Sequence, residues 1–261
     1  MNYPYTEIHK GTTISIECDG KRWQFKKGDD HRAMVFKGFH LCRLVKDNVL
    51  RNLENIPKFN AKKINALIPV EELFNPVNMV KNTKKDMYSI DVDDCYWHTI
   101  YKLGYIDFAL FVSGLRKKQW KDGRNASIGS LAAKEKIYKF IGNEQKGEVK
   151  IIDPDERLTA VRNHVIYTVW ELFKNIIKEI QGEFLMFFKD CVYVSSMDAK
   201  EKAIEIIRGE GYKCKIRHHY LLSFDGKNNI PTWYCYEDRT SGIKKNKYYY
   251  FINEQSIFNV L

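Results

Sequence analysis

A long amphipathic segment places the strongest constraint on how this chain can fold. Between Glu156 and Ile180, apolar residues recur at intervals of three and four, which places them on one stripe of a helix. Gly182 ends this pattern, and the apolar run that follows predicts two strands that turn near Lys189 and Asp190. A helix that leads directly into a hairpin indicates a sheet with helices packed on it.

Other segments add strands and helices in an order typical of an α+β protein. The patterns predict an N-terminal β-hairpin, a strand, three further helices and a set of C-terminal strands. In order, they cover residues 12–26, 87–92, 96–112, 125–141 and 198–208, and then strand-like runs between Tyr212 and Ile252. We therefore expect an antiparallel sheet backed by helices, with the N-terminal hairpin and a small region of short helices and loops beside it.

The composition favours a folded protein with a polyanionic partner. In 261 residues there are 43 Lys and Arg against 33 Asp and Glu, a net charge of +10, and 44% of residues are hydrophobic. This apolar content excludes a disordered chain, and the positive charge favours a partner such as nucleic acid. The six cysteines lack the paired spacing of zinc sites or disulfide frameworks.

Several locations and function classes are disfavoured by missing patterns. No apolar run is long enough to cross a bilayer, and the N-terminus lacks the apolar segment of a signal peptide, so we expect a cytoplasmic protein without a membrane partner. A phosphate-binding Walker loop, a dinucleotide-binding glycine pattern and a nucleophile elbow are also missing. The sequence therefore argues against ATPases, dehydrogenases and serine hydrolases.

Four short stretches occur in an order known from one enzyme family. They are DVDDCY at 91–96, KDGRNASIG at 121–129, MFFKDCVYV at 186–194 and KNKY at 245–248. Through these stretches the chain resembles the palm domain of family B DNA polymerases, in a reduced form like that of a phage or mobile element. The resemblance covers residues 87–250. It implies a palm-like catalytic core over 86–261, with reduced fingers at 98–141, and an accessory region over 1–85.

The resemblance assigns a role to individual residues. Asp91 and Asp190 match the catalytic aspartates that bind metal, and Tyr96 matches the tyrosine that rejects a ribose 2′-hydroxyl. The other matched positions are nucleotide-binding, at Lys121 and Asn125 with Arg124 beside them, and DNA-binding, at Lys245, Lys247 and Tyr248. The match is incomplete, because Phe188 replaces the first aspartate of the third stretch, and Ala126 and Ile128 depart from the second.

The implied activity is template-directed addition of deoxynucleotides to a primer. Two Mg2+ ions, which Mn2+ can replace, stabilise the attacking and leaving oxygens in such reactions, and hard cations of this kind prefer carboxylate ligands. The expected partners are primer-template DNA, deoxynucleoside triphosphates and a processivity, replication or virion protein. For a viral protein, the expected location is the host cell cytoplasm.

Two other function classes remain open. Only 30 residues separate Asp91 from Lys121, which leaves little room for fingers, and this favours a catalytically inactive, palm-derived DNA-binding or viral assembly protein. A metal-dependent nuclease would use similar carboxylates, but it would give Lys121 and Tyr96 no role. The lysines at 245 and 247 are also typical of a solvated edge strand, on which they discourage aggregation.

Overall fold

The computed structural model of the chain describes residues 4–10, 13–18, 21–26, 39–53, 73–117, 120–141, 144–226, 230–236 and 244–248. The secondary-structure elements in these ranges are β1 (Pro4–Lys10), β2 (Thr13–Cys18), β3 (Lys21–Lys26), α1 (Phe39–Asn52), α2 (Pro76–Lys81), β4 (Lys85–Val92), α3 (Cys95–Lys102), α4 (Phe108–Arg116), α5 (Lys121–Ser130), β5 (Glu135–Ile141), β6 (Glu144–Gln145), β7 (Lys150–Ile152), α6 (Glu156–Ile180), β8 (Phe184–Phe188), β9 (Cys191–Val194), α7 (Met197–Gly209), β10 (Cys214–Asp225), β11 (Ile230–Tyr236) and β12 (Lys244–Tyr248).

The chain divides into two compact units that interleave along the sequence. The first unit comprises Met1–Ile64, Tyr96–Val165 and Leu261, and the second comprises Asn65–Cys95 and Ile166–Val260. Residue 85, the expected boundary between accessory region and core, is the first residue of β4 in the second unit. The chain is an α+β protein, with helices, antiparallel sheets and an N-terminal hairpin.

The sheet of the first unit is antiparallel, with strand order β3-β2-β1-β5-β6 and β7 paired with β5. The predicted hairpin over 12–26 is confirmed, because β2 and β3 pair antiparallel up to Cys18 and Lys21; residues 19 and 20 lie outside the described residues. β1, which the sequence analysis did not predict, lies between the hairpin and β5. Helices α1, α4 and α5 pack on one another in this unit.

The helix predicted over 125–141 is wrong. Helix α5 ends at Ser130, and residues 135–141 instead form strand β5, which pairs along its whole length with β1. The run EKIYKFI alternates between intermediate and exposed side chains, as expected of a strand, over most of its length. The pairing partner lies far away in the sequence, so local helical spacing did not reveal it.

The continuous helix predicted over 96–112 is also wrong. Helix α3 ends at Lys102 and α4 begins at Phe108, because Gly104 adopts a left-handed backbone conformation with φ of +76°. Asp107 then starts α4 as its N-cap and accepts a hydrogen bond from the Leu110 amide.

The sheet of the second unit is antiparallel, with strand order β12-β11-β10-β4-β9-β8. Strands β4, β8, β9 and β10, with helices α6 and α7 between them in sequence, follow the order of the split βαβ motif. The predictions of α6, the β8–β9 hairpin and α7 are confirmed within two residues. The predicted continuation of the last strand beyond Tyr248 lies outside the described residues.

Helices cover one face of this second sheet. The Phe187 ring packs against Phe173 and Trp170 of α6, with ring centroids 4.4 and 5.5 Å apart. Through the strand register, Phe187 shares its face with Val192 and Ile90, which are both fully buried. Asp91 alternates with Ile90 and therefore lies on the opposite face. Among the described residues, no helix combines the length and the apolar character that crossing a membrane requires.

Candidate active site

Asp91 and Asp190 lie next to each other on paired strands of the second unit. Asp91 is the Cα partner of Cys191 in the β4–β9 pairing, and Asp190 directly precedes Cys191 in the two-residue turn of the β8–β9 hairpin. The Val92 amide donates a hydrogen bond to the carbonyl oxygen of Asp190 at 2.9 Å. Lys189 occupies the other turn position with a left-handed φ of +60°. The turn therefore holds Asp190 beside the end of β4.

Electrostatic repulsion and burial act together on this pair. Burial raises the pKa of Asp190 to about 6, and the negative charges of Asp91 and, more weakly, Asp94 act in the same direction. Burial, together with the negative charges of Asp91 and Asp190, also raises the pKa of the Cys191 thiol. A pair of like charges in a half-buried position is destabilising unless a cation neutralises it.

Two basic residues of β10 contact the acidic residues at the end of β4. The Lys215 ammonium forms an ion pair with Asp93, and a guanidinium nitrogen of Arg217 lies 3.9 Å from a carboxylate oxygen of Asp91. The sequence analysis missed both residues, although they occupy alternate positions of a strand-like run. Their register with β4, in which Lys215 pairs with Asp91, brings them to the site.

The donor set at this site fits a divalent cation. Asp91 offers hard carboxylate oxygens from β4 and Asp190 offers them from the hairpin turn, and the charge of Asp91 adds to the burial that raises the pKa of Asp190. In the described ranges, no group of three or more His, Cys, Asp or Glu is arranged to hold a metal ion. Substrate oxygens and water would complete the coordination of such an ion.

In the first unit, Lys121 and Asn125 lie on one exposed face of α5. They are four residues apart, which places their side chains one turn from each other on the helix surface. The opposite face is buried and carries Ser127 and Ile128, which are less than 2% exposed. A cation and an amide side by side on an exposed helix face suit contact with a phosphate-bearing ligand.

Arg124 and Tyr96, the other predicted nucleotide-binding residues, are buried in the first unit. Arg124 is 5% exposed, and its guanidinium donates a hydrogen bond to the carbonyl oxygen of Gly114 at 2.9 Å. Tyr96 is 3% exposed near the start of α3, and the Arg162 guanidinium is an electrostatic neighbour of its phenol. Arg124 therefore joins α5 to the end of α4, and Tyr96 contributes to the core.

The predicted DNA-binding residues lie on β12 at the edge of the second sheet. Lys245 and Lys247 occupy the register positions opposite Cys235 and Trp233 of β11, and Tyr248 is opposite Thr232. Among the described strands β12 pairs only with β11, which makes it an edge strand. Set against known proteins, the chain has no match among protein-family models, curated proteins or solved structures.

Proposed function

We propose that this protein is a DNA polymerase-like nucleotidyltransferase that adds deoxynucleotides to a primer. The observation that supports the proposal is the adjacency of Asp91 and Asp190, whose mutual repulsion contributes to the raised pKa of Asp190. Two carboxylates held together in this way are typical of sites that bind divalent cations and phosphates. The order of the four motif-like stretches gives the proposal its reaction class.

In this proposal each residue group has a separate task. Asp91 and Asp190, both deprotonated, hold Mg2+, or Mn2+ in its place, which when bound would stabilise charge on the attacking and leaving oxygens. Lys121 neutralises charge on the triphosphate, and Asn125 positions the nucleotide beside it. Tyr96 packs in the core of the first unit, so its role in sugar selection rests on the resemblance alone and stays a prediction. Arg124 supports α5 and has no direct role.

The proposed substrates are primer-template DNA and deoxynucleoside triphosphates. The net charge of +10 supports a nucleic-acid partner, and the edge strand with Lys245, Lys247 and Tyr248 is its proposed contact. The proposed protein partner is a processivity, replication or virion protein of a phage or mobile element. The proposed location is the host cytoplasm.

Primer extension with a labelled primer tests the proposal. Asp91→Asn and Asp190→Asn keep the side-chain shape and remove the charge, so each should abolish extension with Mg2+ or Mn2+. Glu205→Gln, which removes one exposed carboxylate on α7, is the matched control and should extend normally. Extension that survives both aspartate variants would refute the proposal, and shortening of the labelled strand would indicate a nuclease.

A second candidate is a DNA-binding or assembly protein that retains the palm without synthesis. The contacts of Arg217 with Asp91 and of Lys215 with Asp93 favour it, because cations of the protein itself already offset part of the acidic charge. DNA binding that weakens steeply with salt, without extension even in Mn2+, would favour this candidate.

A further inference from the structure

Arg217 lies beside Asp91, on the side away from Asp190. The strand order β10-β4-β9-β8 places Asp91 between the two, because Asp190 lies in the turn before β9 and Arg217 belongs to β10. In the β10–β4 register Arg217 is opposite Ser89, two residues before Asp91, and paired residues of antiparallel strands share a face. Arg217 therefore lies on the face of the sheet that carries Asp91, opposite the helices.

The contact between Arg217 and Asp91 is an ion pair without a close hydrogen bond. A guanidinium nitrogen lies 3.9 Å from a carboxylate oxygen, beyond the range of about 2.7–3.2 Å for N–H···O hydrogen bonds. The two side chains are 36% and 31% exposed, so water and ions reach both groups. An ion pair of this exposure contributes little to stability, and a competing cation can separate it easily.

The neighbours of Arg217 on the same face of β10 are engaged with other residues. Lys215 forms an ion pair with Asp93, and the hydrogen bond in this pair is the main cause that raises the pKa of Lys215. On the other side, His219 is 3% exposed, and its Nε2 lies 2.6 Å from the hydroxyl oxygen of Ser89. Among the described residues of β10, Arg217 is therefore the one whose ion pair is with Asp91 itself.

Arg217 competes with any divalent cation for the charge of Asp91. When Asp91 shares its charge with such a cation, the guanidinium is repelled from the carboxylate. The backbone of Arg217 is held by the pairing of β10 with β4, so the guanidinium moves only within the reach of its side chain and stays beside the site. Substrate phosphates complete the coordination of cations bound by carboxylates, and a planar guanidinium binds phosphate oxygens in pairs.

From this geometry we infer that Arg217 is the counter-ion of Asp91 in the metal-free protein and binds a phosphate of the primer strand once a cation is held there. The inference rests on the proposed function, which supplies the cation and the primer. The primer strand is favoured because β10 lies between the two aspartates and the pair β11–β12, which carries the proposed DNA contact. The ion pair with Asp91 is then the resting state of the site.

Binding of Mn2+ without DNA, measured by electron paramagnetic resonance of the free ion, tests the counter-ion role. Arg217→Gln and Arg217→Met remove the competing charge, so each should bind Mn2+ about threefold or more tightly than the unmodified protein. Arg217→Lys keeps the charge and should stay within about twofold of the unmodified protein. Asp91→Asn should lose saturable binding. Lys202→Gln, an exposed lysine on α7, is the control for net charge and should bind normally.

Binding of a primer-template duplex without nucleotide, measured with and without Mn2+, tests the phosphate role. Mn2+ should tighten DNA binding by the unmodified protein. Arg217→Gln and Arg217→Lys should each lose about threefold or more of this gain, because a lysine cannot contact two phosphate oxygens as a guanidinium does. Without Mn2+ these variants should bind DNA within about twofold of the unmodified protein, since Arg217 is then engaged with Asp91.

The outcomes separate this inference from the proposed function. Mn2+ binding that Asp91→Asn abolishes and Arg217→Gln leaves unchanged would retain the metal site and overturn the inference. A metal-dependent gain in DNA affinity that survives in both Arg217→Gln and Arg217→Lys would overturn the phosphate role. Absence of saturable Mn2+ binding in every variant would overturn the inference and the metal site together. Tighter Mn2+ binding by Arg217→Gln without any primer extension would support the counter-ion role and count against synthesis.

Discussion

The Val92 amide donates a 2.9 Å hydrogen bond to the carbonyl oxygen of Asp190. This bond extends the β4–β9 pairing by one step beyond the paired residues Asp91 and Cys191 and reaches into the hairpin turn. The backbone of Asp190 is therefore held beside the end of β4, next to Asp91. The site keeps its repulsive charges together at a cost in folding free energy.

Asp190→Asn should stabilise the protein at neutral pH. Because the pKa of Asp190 is raised to about 6 in the folded state, from 3.8, the folded state binds its proton more tightly, and stability falls as pH rises through this window. The amide removes this penalty, so the free energy of unfolding at pH 7.5 should rise by about 1–2 kcal/mol. Urea unfolding at pH 7.5 and near pH 4 measures the effect.

The pH dependence of the Asp190→Asn effect checks this explanation. The gain should disappear near pH 4, where Asp190 is protonated in the folded state, and Glu205→Gln should show no comparable gain at either pH. If Asp190→Asn destabilises the protein at pH 7.5, Asp190 is not held against a like charge.

Gly114→Ala should destabilise the first unit. A Cβ built on Gly114 would lie 2.3 Å from Cζ2 of the Trp97 ring, which is fully buried and donates a hydrogen bond to the Phe111 carbonyl oxygen. Relief of this overlap requires movement of α4 or the indole, and we expect a loss of about 1–3 kcal/mol. Gly209→Ala in α7, where no atom lies within 4 Å of the added Cβ, should be neutral or slightly stabilising. Equal thermal midpoints for the two variants would show that the close approach is absent.

Asp107→Ala should destabilise the junction of α1 and α4. Asp107 accepts hydrogen bonds from the Leu110 amide at 2.7 Å and from the side-chain amide of Asn48 at 2.6 Å. Loss of both bonds, with the Asn48 amide left buried, should cost about 2–3 kcal/mol. Asp153→Ala, which breaks an exposed ion pair with Lys134, should cost less than about 1 kcal/mol.

The effect of Asp107→Ala should also depend on pH. The hydrogen bond from Asn48 is the main cause that lowers the pKa of Asp107 in the folded state. The carboxylate therefore stabilises the fold above its ordinary pKa, and this contribution is lost as pH falls through the lowered value. The difference between the variant and the unmodified protein should shrink in acid, and a constant difference would contradict this assignment.

Lys121→Gln should weaken use of the deoxynucleotide. If Lys121 contacts the triphosphate, the nucleotide concentration that gives half-maximal extension should rise by about tenfold or more, with affinity for primer-template DNA unchanged. Lys139→Gln, an exposed lysine on β5, is the control for a general change in charge. If both variants raise the nucleotide concentration for half-maximal extension equally, Lys121 contributes only to nonspecific attraction of DNA.

Local patterns predicted the elements whose structure is determined locally. The apolar stripe from Glu156 to Ile180 and the β8–β9 hairpin were predicted because their burial repeats at short intervals in sequence. The convergence of Asp91 and Asp190 was expected from the motif order, and the register of β4 with β9 brings the two together.

The errors arise where distant partners decide the structure. Residues 135–141 carry apolar positions that fit helical spacing, but seven consecutive pairings with β1 favour the strand. Arg124 was expected at a nucleotide because of its charge and its place next to Asn125. Its burial and its bond to Gly114 depend on how α5 packs, which the sequence alone does not show.

The interleaved arrangement of the two units has a consequence for synthesis on the ribosome. After β4 ends at Val92, a further 194 − 92, or 102, residues must be translated before β9, which pairs with it beside Asp91 and Asp190, is complete at Val194. At about 5–20 residues per second, the first strand emerges roughly 5–20 seconds before its neighbour. During that interval the buried side chains of β4 lack both strands that pair with it, so a nascent chain stalled there should be a substrate for chaperones.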